Sequence, residues 1–246
     1  MRVMRLVGRS VLVTAVLATA AACASAPVRP ATPVASTLDV STAIAWVDRA
    51  AEYQALVRQT YGQATRAVET AARGRAAGTW AVILDADETV ISNLAYQRDL
   101  VRTGQAHTPA SWRAWVQQRD AVPLPGAQAF LDRVRALGGR IAIVTNRLET
   151  ACDDTRAVLD RRALAYDVVL CQPDDGPSDK NPRFEAVAAG TWPGASGPLE
   201  VLAWVGDNIQ DFPGLSQAIR QQGAAAYADF GARFFVLPNP LYGSWE

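Results

Sequence analysis

Histidine is almost absent from this chain of 246 residues, with His107 its sole representative. That excludes metal centres assembled from several histidines and any hydrolytic mechanism that needs more than one imidazole. Lysine is equally scarce: Lys180 is the only one, and every other basic residue is arginine. Charge of one sign is also missing, since 24 basic residues balance 24 acidic ones. Nothing in that balance points to nucleic acid or an anionic membrane surface as a partner. Cysteine occurs three times, at Cys23, Cys152 and Cys171. No apolar run reaches the roughly 20 residues a spanning helix needs. Half of the residues are hydrophobic, so the chain can build one α/β domain with its own core.

The N-terminus reads as an export segment over residues 1–22. Arg2, Arg5 and Arg9 form a basic region, Val11 to Leu17 a short apolar one, and Thr19-Ala20-Ala21-Ala22 a small-residue run before Cys23. The small residues before Cys23 are similar to a bacterial lipobox, with Ala20 where leucine is usual. Either Cys23 becomes a lipidated N-terminus or it lies beside an ordinary cleavage point; both readings place the protein outside the cytoplasm. Residues 24–37 are small and proline-rich and read, with Cys23, as a tether over 23–37. Export permits a disulfide between Cys152 and Cys171. Spacing leaves that bridge and two separate thiols equally open.

From residue 38 the pattern alternates. Helical spacing over 38–75 predicts one or two helices. Trp80–Leu84, Arg140–Val144, Tyr166–Leu170 and Val201–Val205 read as buried strands, with Phe234–Leu237 as a fifth. Helices are expected at Gly126–Leu137, closed by Gly138-Gly139, at 150–162 and at Arg183–Ala189. Residues 90–121 form a small helical insert. This order predicts an α/β fold with a parallel, doubly wound, Rossmann-like sheet, whose strand ends share one side.

Two of those strand ends carry paired carboxylates. Asp85 and Asp87 follow the first strand in V-I-L-D-A-D-E-T; Asp207 and Asp211 follow the fourth in W-V-G-D-N-I-Q-D-F. Open α/β sheets bind ligands past the carboxyl ends of their strands. Four clustered carboxylates are costly unless a cation neutralises them, and hard oxygen donors favour Mg2+. Asp85 is the candidate nucleophile, able to carry a phosphoryl group as an acyl phosphate. Asp87 faces the same way in an extended segment and is placed to protonate a leaving alkoxide and deprotonate water. Gly206 permits a tight turn before Asp207. Thr145 and Asn146, at the end of the second strand, are candidates to hold phosphoryl oxygens. Lys180 in S-D-K-N-P-R-F can bind phosphate as a point charge.

Together D-A-D-E-T (85–89), V-T-N-R (144–147), Lys180 with Arg183-Phe184, G-D-N-I-Q-D-F (206–212), S-W-R-A-W-V (111–116) and the tail L-P-N-P-L-Y-G-S-W-E (237–246) resemble one family. It is the haloacid dehalogenase superfamily and, within it, the class C bacterial acid phosphatases, the lipoprotein nucleotidases named DDDD phosphohydrolases. The resemblance spans residues about 40–246, with the motifs in the family's order. It implies that 38–246 is a phosphatase domain with a small helical cap. It implies Asp85 as nucleophile, Asp87 as acid and base, and Thr145 and Lys180 as phosphate ligands. Asp85, the Asp87 carbonyl and Asp207 match Mg2+ ligands, with Asp211 supporting them. It further implies an exported, membrane-anchored enzyme acting on nucleoside 5′-monophosphates and other phosphomonoesters. Tyr96, Trp112, Trp115 and Tyr242 are the candidates for gripping a base or ring, plain core packing being the alternative for each. Two other functions fit the same residues: transfer of the phosphoryl group to an alcohol, and ligand binding without catalysis on a retained fold.

Overall fold

The computed structural model describes residues 40–246. The export segment 1–22, Cys23 and the tether to residue 37 lie outside the described residues. Among the described residues, no helix is long and apolar enough to cross a membrane.

The helical spacing at the start of the domain resolves into two helices, α1 (Val40–Arg49) and α2 (Ala51–Ala71), separated at Ala50, whose backbone is extended. Helix α2 buries Tyr53, Val57, Tyr61, Ala64 and Val68. That three-to-four spacing is the stripe by which a helix seats on a sheet.

The central sheet contains β1 (Trp80–Leu84), β4 (Arg140–Leu148), β5 (Val168–Gln172), β6 (Glu200–Gly206) and β7 (Phe234–Val236), in the order β5-β4-β1-β6-β7. Every pairing is parallel. Strand β1 is central and wholly buried, and its residues divide between the two faces. Val82 and Leu84 join the core formed with Tyr61, Phe130 and Val134; Ala81 and Ile83 join a second core with Phe184, Val187 and Phe212. A sheet covered on both faces explains why these strands read as continuous apolar runs instead of alternating ones.

Helices α5 (Ala127–Ala136), α6 (Cys152–Arg161) and α7 (Asn181–Ala189) provide the crossovers. After α5, Gly138 takes φ 84°, as a C-cap requires. Gly139 answers a different need: a Cβ there would lie 2.3 Å from the Trp80 ring. The insert comprises α3 (Leu94–Thr103) and α4 (Pro109–Gln118), and a two-residue antiparallel ladder of β2 (Ile91–Ser92) with β3 (Val122–Pro123) closes its base. Helix α4 opens with a capping box between Thr108 and Ser111, with Pro109 in the first turn.

The structure corrects several expectations. Strand β4 does not end at Val144; its register with β5 shifts between Val144 and Leu148, so Thr145, Asn146 and Arg147 occupy an irregular stretch of a longer strand. Strand β5 begins two residues later than expected, because Asp167 instead accepts from the Ile141 amide. Short 3-10 helices at Gln217–Gln221 and Ala224–Tyr227 lie in the stretch before β7. Cys152, at the start of α6, and Cys171, in β5, form a disulfide with Cα atoms 6.0 Å apart.

Candidate active site

Asp85 directly follows β1 and Asp207 directly follows β6, and these strands are neighbours. The Asp85 amide donates to the Val205 carbonyl at 3.0 Å, tying the two ends together. The sheet grows outward in one direction through β4 and β5, then resumes on the other side of β1 with β6. The carboxylates therefore sit at the switch point of the doubly wound topology.

Asp211 folds back onto this junction. Its Oδ2 accepts from the Asn208 amide at 2.8 Å, and Asn208 Oδ1 accepts from the Gln210 amide at 3.1 Å. The space comes from Gly206, where a Cβ would lie 2.3 Å from the Asp211 Cβ. Its φ is not positive, so close approach by Asp211, not a left-handed backbone, requires a glycine at the turn that follows β6.

Lys180 precedes α7 and is 4% exposed. Its Nζ donates to Asp85 Oδ1, and to Asp211 Oδ1 at 2.6 Å. Asp207 is held by Thr89 Oγ1 at 3.2 Å and Asn239 Nδ2 at 2.8 Å. Oxygens of Asp85, Asp207 and Asp211 all lie within 4.8 Å of one another. One lysine cannot neutralise three clustered carboxylates, two of them buried. Burial pushes Asp85 up to about 7 against the pull of Lys180, with Asp211 and Asp87 adding to the rise. Burial, then Asp211 and Asp85, raise Asp207 well above the usual range. For Lys180, burial lowers the pKa, but Asp211 and Asp85 outweigh it and raise it. A cluster of oxygen donors short of positive charge is the donor set a hard divalent cation fits.

Thr145 and Asn146 reach the same hollow. The Thr145 carbonyl and Asn146 Oδ1 both accept from Arg183, and Thr145 Oγ1 accepts from the Arg147 amide at 3.1 Å. Asp87 stands apart from the three clustered carboxylates. The buried Arg147 donates to it through Nε and Nη2, and Asn93 Nδ2 adds a bond at 2.7 Å.

These residues line one cavity of about 710 Å3, which holds Asp85, Asp87, Thr145, Asn146, Lys180, Asp207 and Asp211. Of the four expected aromatics, Trp112 and Tyr242 line it; Tyr96 and Trp115 do not. Tyr96 is buried behind Trp112, its hydroxyl sharing hydrogen bonds with Ser111 Oγ and His107 Nδ1. Trp115 is buried and donates to Asn93 Oδ1 at 2.8 Å. Sequence reasoning missed Arg147, Asn93, Asn239 and the exposed His107, which also lines the cavity. Arg147 and Asn239 lie inside motifs already singled out, but no spacing rule marks their partners. Glu88 was missed as well: buried at φ 51°, it accepts from the Asn93 amide, and burial pushes it up to about 7.

Known proteins share this architecture. The class C acid phosphatase from Bacillus anthracis is similar in structure, with a TM-score of 0.74 and 28% identity, over 84% of this chain and 86% of that one. The same protein with tungstate bound matches equally well, at TM-score 0.74. The family model for HAD superfamily, subfamily IIIB (acid phosphatase), matches residues 9–245. The chain therefore belongs to the haloacid dehalogenase superfamily, subfamily IIIB, and is a phosphomonoester hydrolase of the acid phosphatase type.

Proposed function

We propose that this acid phosphatase is exported, is held at a membrane through lipid on Cys23, depends on Mg2+, and hydrolyses nucleoside 5′-monophosphates and related organic monophosphates through a phosphoryl group carried on Asp85. The observation that carries the reading is the convergence of Asp85, Asp207 and Asp211 within 4.8 Å of one another, with Lys180 bonded to Asp85 and Asp211, at the floor of a cavity that Trp112 and Tyr242 also line. The donors are all oxygen, which favours Mg2+ over zinc. The relative solved with tungstate supports an oxyanion site, since tungstate is a tetrahedral oxyanion like phosphate. Export and anchoring rest on residues 1–23 of the sequence.

In this mechanism Thr145, the Asn146 amide and Lys180 hold the phosphoryl oxygens. Asp85, the Asp87 carbonyl, Asp207 and Asp211 would hold the cation, which would supply neutralisation of carboxylate and phosphoryl charge. An Asp85 oxygen attacks phosphorus, the ester P–O bond breaks, and Asp87 gives its proton to the leaving oxygen. Water then attacks the acyl phosphate and loses a proton to Asp87. Inorganic phosphate leaves and both aspartates return to their starting state. Trp112 and Tyr242 offer faces on which a base can stack.

Phosphate release from a panel of nucleoside, sugar and glycerol monophosphates, after chelation and then after adding back Mg2+, tests the reading. Release that stops on chelation, returns with Mg2+ and is fastest on the nucleotides is the expected result. Full activity in excess chelator removes the metal from the mechanism, and equal rates on all esters remove the base subsite.

A further inference from the structure

Taking Asp87 as the acid and base proposed above, we infer that Arg147 is a positioning residue for proton transfer, fixing Asp87 so that its Oδ2 handles the proton. The hydrogen bonds divide the two oxygens unequally. Oδ1 accepts from Arg147 Nη2 at 2.8 Å, Arg147 Nε at 3.1 Å and Asn93 Nδ2 at 2.7 Å. Oδ2 accepts from Nε alone, at 3.0 Å. Three donors saturate Oδ1, while Oδ2 keeps a free lone pair on a residue that lines the cavity.

The arginine is itself held from both sides. Its side chain is 2% exposed, and Nη1 reaches Thr155 Oγ1 of α6 at 3.4 Å. From the cap, the Trp112 ring lies 5.5 Å from the guanidinium, and Asn93 Oδ1 lies 3.4 Å from Nη2. Trp115, outside the cavity lining, donates to Asn93 Oδ1 and fixes that amide from behind. A guanidinium stays protonated and presents its donors as a rigid fork, so it can orient a carboxylate through both halves of the reaction without exchanging a proton with it. Arg147 thus joins α6 and the cap to the one aspartate that must give and take a proton.

The test is leaving-group dependence in the full-length enzyme with Mg2+. An aryl ester, p-nitrophenyl phosphate, releases its alcohol without help from an acid, whereas glycerol phosphate needs a proton on the departing oxygen. In Arg147→Met, kcat/KM, which reports the first displacement and not the shared hydrolysis of the acyl phosphate, should fall on the order of 100-fold or more on glycerol phosphate, against less than about 10-fold on the aryl ester. Asp87→Asn should show the same selectivity. Because Arg147 is buried, Arg147→Lys keeps the cation and decides the same question should the Met variant not fold: one ammonium cannot reproduce the fork, so the loss stays selective. Equal losses on both esters in the folded Arg147 variants, with Asp87→Asn selective, overturn the positioning role alone. An Asp87→Asn variant without selectivity overturns it together with the acid assignment, and a wild type inactive on both esters overturns the phosphatase reading.

Discussion

Asp85 and Asp87 are two residues apart, yet each is paired with a different cation, from different parts of the molecule. Asp85 meets Lys180, a residue next to α7, on the floor formed by the ends of β1 and β6. Asp87 meets Arg147, in β4, braced by α6 and the cap. The ammonium is a point charge with three donors, two of them engaged by Asp85 and Asp211, which leaves one for an incoming phosphoryl oxygen. The guanidinium is a fixed fork. On the proposed mechanism the nucleophile needs a counter-charge it can give up to the substrate, and the proton carrier needs a fixed direction. One segment obtains both because its two side chains meet different partners.

The largest expected effect breaks the floor. Asp85→Asn should lower kcat on the order of 10⁴-fold or more; phosphate release within tenfold of wild type would contradict the division. Lys180→Met should cost on the order of 10³-fold in kcat/KM. It should also lower the metal-free melting temperature, since Asp85 and Asp211 lose their buried partner, and addition of Mg2+ should recover part of that stability. Thermal melts with and without the ion measure this. Asn239→Ala frees one oxygen of Asp207 and should weaken Mg2+ binding about 10–100-fold in a calorimetric titration, with kcat at saturating metal near wild type. The smallest effect sharpens the cap side. Trp112→Ala should remove about 1–3 kcal/mol of binding from a nucleotide, read in KM, and much less from glycerol phosphate.

The same contrast separates what sequence could reveal from what it could not. Strands β1 and β6 are buried apolar runs ending in aspartates, so the floor and the parallel sheet were legible from order alone. The partner of Asp87 was not, because Arg147 lies 60 residues away and meets it only where β4 pairs beside β1. Helical spacing put Trp112 and Trp115 near one face but could not say which reaches the cavity; the Asn93 amide draws Trp115 inward. Gly206 was legible only in part: the turn after β6 was expected, and the room it leaves for Asp211 was not. The short β2–β3 ladder was invisible because two-residue strands carry no period.

The claim underlying all of this is that the phosphoryl group passes through Asp85 in two successive displacements. The stereochemical course at phosphorus tests it most directly, using a monophosphate ester made chiral with sulfur and oxygen isotopes and hydrolysed by the Mg2+-loaded enzyme. Two in-line displacements predict net retention of configuration. Net inversion would mean that water attacks the substrate directly, and would contradict Asp85 as the nucleophile.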